Sequence, residues 1–295
     1  MPPTSDACWS MRNGPGQAAH RQLDGRELPL DPLSSNSRRR RRRRGVIAEV
    51  VPTGVRTREA FDDDGPEAAV TLFATERAVV EGVHDERRKE FATVRGCARA
   101  ALAGLGVDSA PLVPGPLGAP GWSAGVVGSM AHCRSYRAAA VALTEDFAAL
   151  GIDAEPRKPL PRFMAERIVT DIEAGWLRQD SRPAAGLPLD RLLFCAKEAS
   201  YKAFSPWTGA RFGFRDFTVR LRPDGTFLTA PPTSGTPMSP SGPVVFTGRW
   251  SARSGLLLSV VALSASHVSH DLLNDLALKA AKKRDNEKQP TRRPA

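Results

Sequence analysis

The sequence predicts an α+β fold built as two successive helix-plus-sheet lobes that meet near residue 150. Two observations carry that prediction. Segments with three- and four-residue apolar spacing are followed by short apolar runs that alternate as antiparallel strands do, and the order of these segments does not suit a doubly wound parallel sheet. A chain of 295 residues with 41% hydrophobic content also has enough apolar matter to bury a core, in one large domain or two lobes of ordinary size.

The elements follow in order. From Glu76 to Leu105, the residues Phe91, Val94, Ala98, Leu102 and Leu105 recur at helical spacing, and Gly106 supplies a stop. Arg88, Arg95 and Arg99 fall on one stripe of that helix, with Arg87 beside it. A Pro- and Gly-rich connector, Pro111 to Trp122, leads to two apolar runs, Gly125 to His132 and Ala138 to Leu143, which read as a hairpin. Gly151 to Glu155 is a short strand, Leu160 to Leu177 a helix, and Arg191 to Phe204 a second well-defined helix. Phe212 to Leu221, Phe227 to Thr229, Val244 to Ser251 and Gly255 to Ala265 complete the pattern as strands.

Charge sorts the chain into a folded middle and two tails. Of the net charge of +10, residues 1–45 contribute ten Arg against Asp6, Asp24, Glu27 and Asp31, and residues 271–295 contribute seven Lys and Arg against four acids. The middle, 46–270, is nearly neutral. Seven consecutive arginines, Arg38 to Arg44, repel one another with nothing apolar to bury, so 1–45 is expected to be a disordered Arg-rich extension and 271–295 a basic tail. The extension reads as a dispensable addition or a start-site artefact; the alternative is an arm for nucleic acid or an anionic surface. The domain boundaries expected are thus 1–45, 46–150, 151–270 and 271–295.

The longest apolar stretch, Leu256 to Leu263, falls far short of the ~20 residues of a spanning helix, so no membrane partner is expected. The N-terminus lacks the apolar stretch of a secretory signal, which points to the cytoplasm. Cys8, Cys97, Cys133 and Cys195 lie too far apart for a zinc site or a small disulfide scaffold and read as reduced, mostly buried thiols.

Three clusters are candidates for chemistry. In Gly151-Ile152-Asp153-Ala154-Glu155, strand geometry turns both carboxylates to one side and Ile152 to the core. Such a pair suits a hard divalent ion such as magnesium, although D-x-E is also common on surface strands. In Lys197-Glu198-Ala199-Ser200-Tyr201-Lys202, Glu198 and Lys202 share one helical stripe. That spacing fits a solvated ion pair, or a metal carboxylate or general base flanked by lysines that neutralise phosphate. In Gly128-Ser129-Met130-Ala131-His132-Cys133, neighbouring side chains on a strand point apart, which argues against a Cys-His dyad. Ser129 and His132 are left as possible phosphate donors or as structural residues.

Taken in order, Arg87-Arg88-Lys89-Glu90-Phe91 with Arg95-Gly96-Cys97-Ala98-Arg99, then Gly128-Ser129-x-x-His132-Cys133, Gly151-Ile152-Asp153-Ala154-Glu155 and Lys197-Glu198-Ala199-x-Tyr201-Lys202 resemble the 4'-phosphopantetheinyl transferases that activate surfactin and enterobactin synthetases, in their actinobacterial branch. The resemblance runs from about Glu76 to Ala262. It implies two similar α+β lobes related by a pseudo-twofold, with the active site in the cleft between them. It implies coenzyme A as donor substrate, an apo acyl or peptidyl carrier protein as partner, and transfer of the phosphopantetheine group to a carrier serine with release of 3',5'-adenosine bisphosphate. Asp153, Glu155 and Glu198 would hold Mg2+; Arg87, Arg95, Ser129, His132, Lys197 and Lys202 would contact coenzyme A; and Glu198, Lys202 and His132 would be catalytic, with Glu198 as the base. Nucleic acid is not expected as a partner, and one chain holding both lobes is expected to complete the cleft as a monomer. A degenerate coenzyme A or carrier-protein binder is the alternative, disfavoured because nothing but a metal would hold three carboxylates together. Relatives carry a lysine near Leu117 and a Trp-Pro near Trp122-Ser123, and this chain has neither the lysine nor the proline. Weaker coenzyme A binding is the expected result.

Overall fold

The computed structural model describes residues 45–115, 117–179, 186–209, 211–230 and 245–267. The expected basic tail lies outside these residues, as does the expected extension up to residue 44.

The first helical pattern forms two helices, α1 (Ala74–Val79) and α2 (Asp85–Ala103), because Gly82 turns the chain between them with φ of 75°. Leu160 to Leu177 is likewise split into α3 (Arg162–Ile168) and α4 (Asp171–Gln179). Thr170 makes that break: its hydroxyl accepts from Glu173 N while Glu173 Oε2 accepts from Thr170 N at 2.9 Å, a reciprocal cap that starts a new helix. The last long helix is α5 (Leu189–Thr208). Among the described residues, no helix is long and apolar enough to cross a membrane.

The strands form two antiparallel sheets. The first contains β1 (Arg56–Ala60), β2 (Val126–Cys133) and β3 (Tyr136–Leu143) in the order β1-β3-β2. The second contains β4 (Phe147–Pro156), β5 (Thr218–Leu221), β6 (Thr226–Ala230), β7 (Phe246–Arg253) and β8 (Leu256–Ser264) in the order β4-β8-β7-β6-β5. The expected division near residue 150 falls inside β4, which pairs with β8 from Phe147 onward. β1 had no sequence signal: Arg-Thr-Arg-Glu-Ala is polar, and its place depends on Glu59, which accepts hydrogen bonds from Val46 N, Ile47 N and the Tyr136 hydroxyl. The expected strand from Phe212 contracts to β5, because Asp216 Oδ2 accepts from Gly213 N at 2.7 Å and closes a turn before it.

Helix α2 covers the first sheet and α5 the second. β3 is buried on both faces, which explains its run of small residues: Ala139 and Val141 meet the α2 side, while Ala138, Ala140 and Ala142 join a cluster with Ile152, Ala154, Leu258 and Val260 of the second sheet. The two lobes therefore share a core. At their junction the edge strands β2 and β4 meet, and the outward Ile152 N donates to Ser129 Oγ at 3.0 Å. On its other side β4 accepts α5 at very close range. A Cβ on Gly151 would lie 2.0 Å from the Ala199 carbonyl oxygen, so only glycine allows this approach.

Candidate functional site

Strand alternation sets the first half of the site. Ile152 and Ala154 enter the shared core, and Asp153 and Glu155 turn to the opposite face, both essentially buried. Helical spacing sets the second half: Arg191, Cys195, Glu198 and Lys202 are separated by four, three and four residues and form one stripe of α5. The two sets meet. Arg191 Nη1 donates to Glu155 Oε2 at 2.7 Å, and Lys202 Nζ donates to Asp153 Oδ1 at 2.6 Å and to Ile152 O at 3.2 Å. Glu198 lies on the stripe between these cations and is 5% exposed. Cys195 donates to Leu257 O, and burial, reinforced by Asp153, pushes its thiol pKa well up, so it is an inert spacer.

Among the described residues, no group of three or more His, Cys, Asp or Glu is placed so that it could hold a metal ion. Two of the three expected ligands carry protein cations instead. The expectation that nothing but a metal would keep these carboxylates close is corrected by Arg191 and Lys202, which do so by charge. The donor set itself suits a hard cation: three carboxylates, two on one strand face and one on the helix that packs against it.

A cleft of about 500 Å³ opens in front of Lys202 and Glu198, bordered by Arg87, Phe91, Leu117 and His132 from the first lobe. Arg87 Nη1 lies 3.0 Å from His132 Nε2 and 3.3 Å from Glu90 Oε2. Glu90 accepts in turn from Arg137, and Arg137 pairs with Asp63 at 2.7 Å, so alternating charges anchor the pair from behind. Since a guanidinium only donates, this contact requires an unprotonated Nε2 and leaves the ring proton on Nδ1.

Three expected coenzyme A contacts are engaged elsewhere. Lys197 borders the cleft, yet its ammonium is buried and donates to Ile168 O, Phe214 O and Glu173 Oε2, which accounts for all three of its N–H groups. Burial pulls its pKa down against the opposing pull of Glu173. Arg95 clips the connector by donating twice to Leu112 O, and burial lowers its pKa to about 9. Ser129 is buried at the junction of β2 and β4. All six expected contacts, Arg87, Arg95, Ser129, His132, Lys197 and Lys202, border the same cleft as Glu198, and of these Arg87, His132 and Lys202 are only half-buried. Trp122, beside the absent proline, packs on Gly128, where a Cβ would stand 2.7 Å from the indole ring.

Sequence reasoning missed Arg191 and Glu173. Arg191 could have been found from its position on the Glu198 and Lys202 stripe, and Glu173 from the Thr170-x-x-Glu173 capping pattern.

The sequence matches two family models: the 4'-phosphopantetheinyl transferase N-terminal domain over residues 75–142 and the 4'-phosphopantetheinyl transferase superfamily over 149–240. It is 41% identical over 227 residues to the 4'-phosphopantetheinyl transferase Svp of Streptomyces mobaraensis, covering 75% of this chain and 90% of that one. This chain belongs to the 4'-phosphopantetheinyl transferase superfamily. The transferase is also 37% identical to Npt of Nocardia iowensis over 74% of this chain and 99% of that relative, and 37% identical to PptT of Mycobacterium tuberculosis over 74% and 98%. Each matched region supplies one wall of the cleft: the first carries Arg87 and His132, and the second carries Glu198 and Lys202.

Proposed function

We propose that the protein transfers the 4'-phosphopantetheine group of coenzyme A to a serine of an apo acyl or peptidyl carrier protein, with magnesium as the resident cofactor. The observation that carries this reading is the juxtaposition of Asp153 and Glu155 on β4 with Glu198 and Lys202 on α5, at one end of a cleft bordered by Arg87 and His132. In the reaction a bond forms from the serine oxygen to the β-phosphorus of coenzyme A, and the bond from that phosphorus to the 3',5'-adenosine bisphosphate oxygen breaks. Glu198 takes the hydroxyl proton as the attack develops. Lys202 and Arg87 bind and orient the pyrophosphate, and their fixed positive charges stabilise the charge gathering on the leaving group, while His132 holds the Arg87 guanidinium in place. Asp153, Glu155 and Glu198 would hold magnesium, which when bound supplies further positive charge to the phosphates. Lys197 acts through position: bonded to Glu173, it fixes the turn of α5 from which Glu198 projects.

Intact-mass measurement of an apo carrier protein incubated with the protein, coenzyme A and magnesium tests this reading. A gain of one phosphopantetheine mass, lost with Glu198→Ala and with EDTA, is expected. No gain with any acyl or peptidyl carrier, while coenzyme A still binds, would overturn it in favour of a binder without turnover.

A further inference from the structure

Two backbone regularities fix four side chains at the first-lobe wall of the cleft as one set. His132 of β2 and Arg137 of β3 stand opposite each other in the strand register, so both lie on the face that α2 covers. Arg87 and Glu90, three residues apart, lie on one stripe of α2. The two pairs are bonded at both ends: Arg87 Nη1 lies 3.0 Å from His132 Nε2, and Arg137 Nη2 donates to Glu90 Oε1 at 3.1 Å. Glu90 Oε2 accepts from Arg87 Nη1 at 3.3 Å and closes the set, so one carboxylate serves two guanidinium groups. Arg87 and His132 border the cleft, whereas Arg137 is 4% exposed and is also held by Cys133 O, Tyr136 O and Asp63 Oδ2.

A guanidinium buried for packing alone is costly, and an apolar side chain of similar volume would fill its place as well or better. The charge of Arg137 has a use at Glu90. Without it, the whole charge of that carboxylate would fall on Arg87 and offset what Arg87 offers an anion in the cleft. We propose that Arg137 is a positioning residue for the donor's phosphates: it draws one oxygen of Glu90 towards β3, so that Glu90 holds Arg87 at the cleft wall without cancelling its charge. This inference rests on the transferase reading, in which Arg87 meets those phosphates. It places a determinant of donor affinity outside the cleft, on a strand residue that no ligand touches.

Coenzyme A binding by calorimetry tests this, because the dissociation constant reports the charge on Arg87 while the stoichiometry reports how much of the protein is folded. Arg137→Met is expected to weaken binding about tenfold with the stoichiometry unchanged. Arg137→Gln, whose amide can still donate to Cys133 O, tests the same loss of charge should the apolar variant not fold. Adding Glu90→Gln to either variant removes the carboxylate that Arg137 restrains and is expected to restore affinity to within threefold of wild type. Arg88→Gln, which removes a charge from the exposed side of α2, is expected to change affinity less than twofold. Unchanged affinity in the Arg137 variants, no rescue by Glu90→Gln, or an equal loss in Arg88→Gln overturns the inference. Arg87→Ala separates it from the reading beneath it. If Arg87→Ala weakens binding and the Arg137 variants do not, only the role of Arg137 fails; if Arg87→Ala binds coenzyme A as wild type does, or wild type does not bind it, the placement of the phosphates fails and the inference with it.

Discussion

Glu76 and Glu173, one in each lobe, do the same work with the same atoms. Each is the third residue of a short helix, and its Oε2 accepts from the backbone N–H three residues before it, Phe73 N for one and Thr170 N for the other. Each Oε2 also pairs with a cation of the long helix, Arg99 on α2 and Lys197 on α5, and each Oε1 accepts a distant backbone N–H, Leu112 N and Val219 N, at 2.9 Å. The two lobes thus repeat one device for fixing the long helix that carries the cleft residues.

Breaking either pair leaves a buried charge. Glu173→Ala is expected to cost about 3–5 kcal/mol in urea unfolding, because Lys197 then keeps its two backbone carbonyls but has no counter-charge in a buried site. The double variant Glu173→Leu with Lys197→Met should cost less than the single change. A double variant as unstable as the sum of its singles would show that the pair is not coupled.

Gly151 has no room for a methyl group. Gly151→Ala is expected to destabilise the protein by about 1–3 kcal/mol and, by pushing α5 from β4, to lower transfer activity at a temperature where the variant is still folded. Stability and turnover equal to wild type would mean that α5 can shift freely.

Cys97 gives an alkaline limit to stability. Burial, with Glu67 adding to it, pushes its thiol from 9.0 to about 12. Below pH 9 the thiol is protonated in both states and its contribution is complete; as pH rises the unfolded chain loses the proton while the folded one keeps it, so stability falls towards pH 12. Relative to Cys97→Ala, the wild type should lose about 1.4 kcal/mol between pH 8 and pH 10, measured by urea midpoints under reducing conditions. Parallel profiles for the two proteins would contradict this.

Leu117 borders the cleft without contributing charge. Leu117→Lys is expected to tighten coenzyme A binding about fivefold, ~1 kcal/mol, and to make it more salt-dependent, as read by calorimetry at two ionic strengths. Unchanged affinity would place the missing charge outside the path of the phosphates.

What was legible in the sequence depended on period and local chemistry. α2, α5 and the β2-β3 hairpin announce themselves by apolar spacing, and Asp153 and Glu155 share a face because strand geometry requires it. β1 stayed hidden because its position is fixed by Glu59 and Tyr136, residues 77 apart, and not by its own pattern. The split at Thr170 was visible as a capping pattern but was hidden by apolar residues on both sides of it. The engagement of Lys197 and Arg95 could not be read at all: spacing tells which face of a helix a cation occupies, not which carbonyls will reach it first.

The shared core between the sheets bears on how the cleft admits its ligands. Spreading the lobes would pull Ala138 and Ala140 away from Ile152 and Leu258 and break the bond from Ile152 to Ser129, exposing apolar surface at about 25 cal/mol per Å². The gap between the walls is therefore a fixed dimension rather than a jaw that opens and shuts. Selection among donors of different bulk then falls to the side chains at the rim, where small substitutions, more than any domain motion, would retune what is admitted.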